Sequence, residues 1–78
     1  MLKYKLIKDS GDYVSYNYFP EGRTDGGTVT INKKTGAISN VVLAKTDKFR
    51  RYCNHMVSEL LEFFKKGEYK SDGIIAWY

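Results

Sequence analysis

Only one stretch of this chain carries apolar residues at helical spacing, and that limits the architectures open to it. Between Thr46 and Lys66, Phe49, Tyr52, Cys53, Met56, Val57, Leu60, Leu61, Phe63 and Phe64 form one broad stripe. Lys48, Arg51, His55, Glu59, Glu62 and Lys66 take the opposite side and face water. A lone helix cannot bury so wide a stripe against itself, so the rest of the chain must cover it. Thr46 or Asp47 stands where a side chain can cap the first amides, and Gly67 suits the stop after Lys66. Glu62 precedes Lys66 by four residues, the favourable order for a surface pair.

The remaining segments read as strands. In LKYKLI, Leu2, Tyr4 and Leu6 share one face while Lys3 and Lys5 share the other. The turn KDSGD follows, with Gly11 free to take the left-handed conformation. In the next run Val14, Tyr16 and Tyr18 form a continuous apolar face, and Tyr13, Ser15, Asn17 and Phe19 form a face that is polar in its middle. That pattern predicts a half-buried antiparallel strand, with Tyr16 and Tyr18 in the core and their hydroxyls at its rim. Tyr13 and Phe19 stay open between surface and site. Pro20 ends the strand, and PEGRTDGG is a loop rich in glycine and charge.

Val29 and Ile31 then alternate with Thr28, Thr30 and Asn32. NKKTG makes a tight hairpin turn closed by Gly36, and a fourth strand runs from Ile38 to Leu43. A last strand is expected from Ile74. Four meandering strands and a returning helix leave it antiparallel to the first strand, beside which it can pair. A parallel place beside the fourth strand, reached by a right-handed crossover, is the other arrangement. The expected fold is an α+β domain spanning residues 1–78: an antiparallel meander sheet of four to five strands with one long helix packed on one face.

A chain of 78 residues has room for one thin core, and seven tyrosines with four phenylalanines supply large buried areas to offset the size. Cys53 is the only cysteine, so no internal disulfide can form and a cytoplasmic location is expected. MLKYKLIK alternates apolar residues with lysine, the pattern of neither a signal peptide nor a membrane span.

Catalysis is not expected. Cys53 and His55 are the only thiol and imidazole, and two helical steps of about 100° put them on opposite sides of a helix, so they make no dyad. One Cys and one His are too few for a zinc site. Asp9 with Asp12, and Glu59 with Glu62, are better explained by turn chemistry and surface pairing than by a cation. The loop EGRTDGG lacks the Gly-Lys-Ser/Thr ending of a phosphate cradle. No catalytic residue, cofactor or metal is therefore assigned.

Binding is the remaining class. For a protein partner, an exposed edge strand and large rings carry affinity, which singles out Phe19, Trp77 and Tyr78, with Arg23 tuning specificity. For nucleic acid, the net charge of +4 is mild, but Lys3 and Lys5 on the sheet face away from the helix, with Lys33 and Lys34 at one end, offer cations. Tyr13 would stack a base there. The RNA-recognition-motif core Gly-Phe-Gly-Phe is missing, and one helix rules out a helix-turn-helix. A self-associating structural subunit, joined through its sheet edge, is the third possibility, and no membrane partner is expected. A protein partner is placed first.

The runs GTVTINKKTGAIS and FRRYCNHMVSELLEFFKKGEYKSDGIIAWY resemble small uncharacterised proteins of Gram-positive bacteria and their phages or mobile elements. The resemblance covers most of the chain and implies no chemistry or site residues. It implies a class of job: an inhibitor or adaptor that works by occluding a larger host machine.

Overall fold

The computed structural model describes residues 1–77; Tyr78, one of the expected partner-binding rings, lies outside them. Five strands and one helix follow in the order β1 (Leu2–Asp9), β2 (Tyr13–Pro20), β3 (Gly27–Asn32), β4 (Ile38–Val42), α1 (Arg51–Lys66) and β5 (Asp72–Ile75). The sheet order is β4-β3-β2-β1-β5, antiparallel throughout. The last strand therefore takes the place beside β1, with Lys3 opposite Ile74 and Lys5 opposite Asp72. The fourth strand ends at Val42, one residue before the expected Leu43.

Strand alternation sets the core. Leu2, Tyr4, Val14, Tyr16, Tyr18, Val29 and Ile31 point to one face and meet Cys53, Met56, Leu60 and Phe63 of α1. Aromatic rings fill the layer between them: Tyr4 meets Tyr16 edge-on at 5.8 Å, and Phe63 lies 5.9 Å from each. The Tyr16 hydroxyl leaves the core by donating to the Lys70 carbonyl at 2.5 Å. Tyr16 thus serves as apolar volume with a satisfied polar tip.

The turns obey local chemistry. Between β1 and β2, the Asp9 carboxylate accepts from the Gly11 amide at 3.0 Å and pairs with Lys33 at 3.0 Å. Those two interactions, the Gly11 bond first, hold the Asp9 carboxyl below its ordinary range. Between β3 and β4, the Asn32 side-chain oxygen accepts from the Lys34 and Thr35 amides, and Gly36 closes the turn at φ 77°. Phe64 packs against Gly36, so both its backbone and its lack of a side chain are used there.

The entry to α1 departs from the sequence expectation. The helix begins at Arg51, and residues 44–50 instead fold as successive turns. Asp47 is 2 % exposed, and its carboxylate accepts from the Tyr52 amide at 3.1 Å and the Cys53 amide at 2.8 Å. Asp47 does cap the helix, but from four residues before Arg51, while Thr46 makes no such bond and Arg50 occupies the cap position in the left-handed region at φ 59°. The reason is a third donor. The Tyr18 hydroxyl donates a hydrogen bond to Asp47 at 2.8 Å and accepts one from the Ala44 amide at 3.0 Å, which ties the loop to β2. A helix begun at Thr46 would swing that carboxylate away from Tyr18.

Four corrections follow at and along the helix. Phe49 lies in the turn and is 87 % exposed, so it is not part of the apolar stripe, and Leu61 at its margin is exposed too. His55 is half-buried instead of facing water, because the Trp77 ring stacks on it at 3.7 Å. Glu62 pairs with Lys65 at 3.6 Å, three residues on, in place of Lys66. The stop at Gly67 is as expected, left-handed at φ 72° with its amide bonded to Phe63 and Phe64.

Replacing Asp47 by alanine leaves two helix amides and a buried hydroxyl without their acceptor. At about 1–3 kcal/mol for each buried group left unpaired, urea unfolding should show a loss on the order of 3 kcal/mol. Phe49→Ser should change stability by less than about 0.5 kcal/mol in the same assay, since the ring touches little. The depressed Asp9 carboxyl contributes stability that is fully present above its unfolded value near 3.8 and is lost as pH falls through its lower folded value. Melting curves taken below pH 3.8 should fall less steeply for Asp9→Asn than for the parent chain.

Candidate binding surface

With α1 on one face, the opposite face of the sheet is open. Lys3, Lys5 and Lys8 project there from β1, opposite Phe19, Asn17 and Ser15 of β2. Strict alternation would turn Lys8 away. A bulge between Leu6 and Lys8 inserts Ile7 as an extra residue and returns Lys8 to the side of Lys3 and Lys5. The adjoining apolar pair Leu6-Ile7, which interrupts the alternation, is the sequence signal of that bulge.

The middle of the face is closed upon itself. Ser15 and Thr30 hydroxyls bond each other at 2.7 Å, and the Thr28 hydroxyl donates to the Asn17 side-chain oxygen at 3.2 Å. Thr30 is buried among these neighbours. The hydroxyls of the polar row between β2 and β3 are therefore engaged with one another and with Asn17.

One corner is different. A cleft of about 580 Å³ opens where β1 and β5 meet the β2–β3 loop, and it is lined by Lys3, Lys5, Phe19, Arg23, Asp72 and Ile74 among others. Phe19 is half-buried, its ring resting on the backbone at Gly26, where a side chain would collide with it. Ile74, from β5, is 61 % exposed. Among the described residues no ion pair engages Lys3, Lys5 or Arg23, and Asp72 is the one carboxylate in the lining. The cleft thus combines three cations with an aromatic and an aliphatic side chain.

The candidate residues sort themselves accordingly. Phe19 and Arg23, singled out for a protein partner, share this cleft with Lys3 and Lys5, singled out for nucleic acid. Lys33 and Lys34 do not join them. Lys33 is held by Asp9 and lies 5.4 Å from the Tyr69 ring, and Lys34 pairs with Asp12 at 3.4 Å. Tyr13 is exposed at the far end of β2, beside Lys8 and Ser10 in a smaller hollow.

Trp77 is half-buried over the helix, stacked on His55 and edge-on to Tyr52 at 5.3 Å, so its ring completes the core margin. The Tyr52 hydroxyl donates to Glu21 at 2.9 Å, which joins this cluster to the start of the β2–β3 loop. Ile74 and Lys8 are the surface residues that sequence reasoning missed.

Cys53 is fully buried, and desolvation raises its thiol above the ordinary value, which keeps it protonated. No group of three or more His, Cys, Asp or Glu among the described residues is placed to hold a metal ion. No helix among them is long and apolar enough to cross a membrane. Comparison with models of known protein families gives no match, and neither curated proteins nor solved structures match the chain.

Proposed function

We propose that the protein is a non-catalytic binding module that holds a protein partner in the cleft at the β1–β5 corner of its open face. The reading is supported by one arrangement: Phe19 and Arg23 come together with Lys3 and Lys5 around a single space, beside an exposed Ile74. An aromatic and an aliphatic side chain give apolar contact, and arginine and aromatic groups are the types that dominate protein-binding hot spots. The flanking cations select the sign of the partner's charge.

Nucleic acid is the second reading, and the lysine row of β1 favours it. Single-strand binders distribute rings and cations along a groove. Here the second ring, Tyr13, stands six residues from Phe19 along β2, roughly 20 Å away, with the self-bonded hydroxyls between them. That spacing suits a compact protein contact better than a tracked strand. The resemblance to small proteins of Gram-positive bacteria and their phages fits the same class of job, the covering of a surface on a larger host machine in the cytoplasm.

The test has two arms. Fluorescence anisotropy with short single- and double-stranded oligonucleotides at near-physiological salt should show no micromolar binding. In nuclease-treated extracts, proteins retained by the parent chain should be lost to Phe19→Ala/Arg23→Glu and kept by Lys66→Glu. Micromolar oligonucleotide binding that weakens steeply with salt and disappears in Lys3→Glu/Lys5→Glu would contradict the protein reading.

A further inference from the structure

The two edges of the sheet are not equivalent. On the β4 side, Thr28 pairs with Val42 and Thr30 with Ser39, so β4 carries one extra residue between those pairs, and Asn40 sits in the left-handed region at φ 50°. A bulge of this kind twists an edge and spoils it as a template for another strand. On the other side, Asp72, Gly73, Ile74 and Ile75 pair with β1 in unbroken succession. β5 has no proline, lysine or bulge to guard it, and among the described residues no backbone bond reaches its outer side.

This edge, short and carrying one charge at Asp72, borders the cleft. A strand laid against β5 would place every second side chain on the open face, next to Asp72 and Ile74. Those side chains would stand two strands, about 9.6 Å, from the β1 backbone, within the combined reach of a lysine and a glutamate across Ile74. Lys3 and Lys5 are themselves two residues apart, so they repeat every 6.6 Å or so, the same period as alternate residues of an added strand. With Arg23 they set three cations against the single carboxylate of Asp72.

We infer that the partner supplies an extended acidic segment, which adds to β5 as a sixth strand and directs carboxylates at alternate positions over the cleft to Lys3, Lys5 and Arg23. Backbone bonding to the edge gives affinity and the cations give register, the division of labour seen when a peptide augments a sheet. This rests on the reading of the cleft as a protein-binding site and adds to it the conformation and charge of what binds.

The probe is a fluorescein-labelled ten-residue peptide of alternating Glu and Val, titrated with the full chain at near-physiological salt. Two comparison peptides have the same composition: one is N-methylated at its four central residues, the other has its glutamates in one block. The alternating peptide should bind at least tenfold more tightly than either. Lys3→Glu/Lys5→Glu should weaken it at least tenfold, and Lys45→Glu/Lys66→Glu, an equal change of charge on exposed residues elsewhere, should weaken it less than threefold. Circular dichroism of each variant verifies the fold.

Equal binding of the N-methylated peptide would overturn strand addition while leaving the cleft as a protein site. Equal loss in both double variants would overturn the match of charges, and no binding of the alternating peptide would overturn the inference itself. A dimer in light scattering that the peptide does not dissociate would give the edge to a second copy and overturn it too. An oligonucleotide that displaces the peptide at lower concentration would remove the protein reading beneath it.

Discussion

The buried carboxylate of Asp47 is the joint on which the architecture turns. It accepts hydrogen bonds from the Tyr18 hydroxyl and from two amides at the start of α1, and so fixes the angle at which the helix leaves the sheet. A buried carboxylate is costly unless its lone pairs are occupied, and here three donors and the positive end of the helix meet that requirement. Burial pushes the Tyr18 hydroxyl well above its ordinary titration range, with Asp47 adding to the rise, so the donor keeps its proton. With the entry fixed, Cys53, Met56, Leu60 and Phe63 fall on the tyrosine-rich face of the sheet.

Placing the helix on one face leaves the other to water, and the chain handles that surface in two ways. Its centre is closed by hydroxyl and amide groups that bond one another across β2 and β3. Its corner, next to β5, is left with cations that no ion pair engages among the described residues, and with Phe19 and Ile74, around a cleft. The surface asymmetry follows from the core: the residues that alternate with Leu2 and Tyr4 are Lys3 and Lys5, so the strand that fills the core also lays out the basic side of the cleft.

Much of the fold is legible in the sequence because period-2 and period-3.6 patterns report burial directly. The alternation of Val14, Tyr16 and Tyr18 predicts their place in the core, though the Tyr18 hydroxyl is buried against Asp47 and does not reach the rim. Strand counting admits β5 beside β1, the arrangement found, but also a crossover to β4. Phe49 is misread because spacing on a helix assumes that the helix is already there. The pull of Tyr18 on Asp47, across 29 residues, starts it later. His55 is misread for a similar reason, since its cover comes from Trp77, beyond the last strand. The candidate site is legible only in pieces. Lys3, Lys5, Phe19 and Arg23 are all visible as separate candidates, but their meeting depends on sheet order and on where the β2–β3 loop lies. Lys33 and Lys34 are absent from it because the β3–β4 turn lies at the other end of the sheet, beside the β1–β2 turn, where they pair with Asp9 and Asp12.

The central claim is that the β1–β5 corner is the working surface. A proton–nitrogen correlation spectrum of the ¹⁵N-labelled protein, recorded as the alternating Glu-Val peptide is added, tests it most directly. The account predicts saturable shifts at the backbone amides of Lys3, Lys5, Phe19, Arg23 and Asp72–Ile75, with β4 and the exposed side of α1 unmoved. Shifts centred on Tyr13 and Lys8, or on the helix, would contradict it.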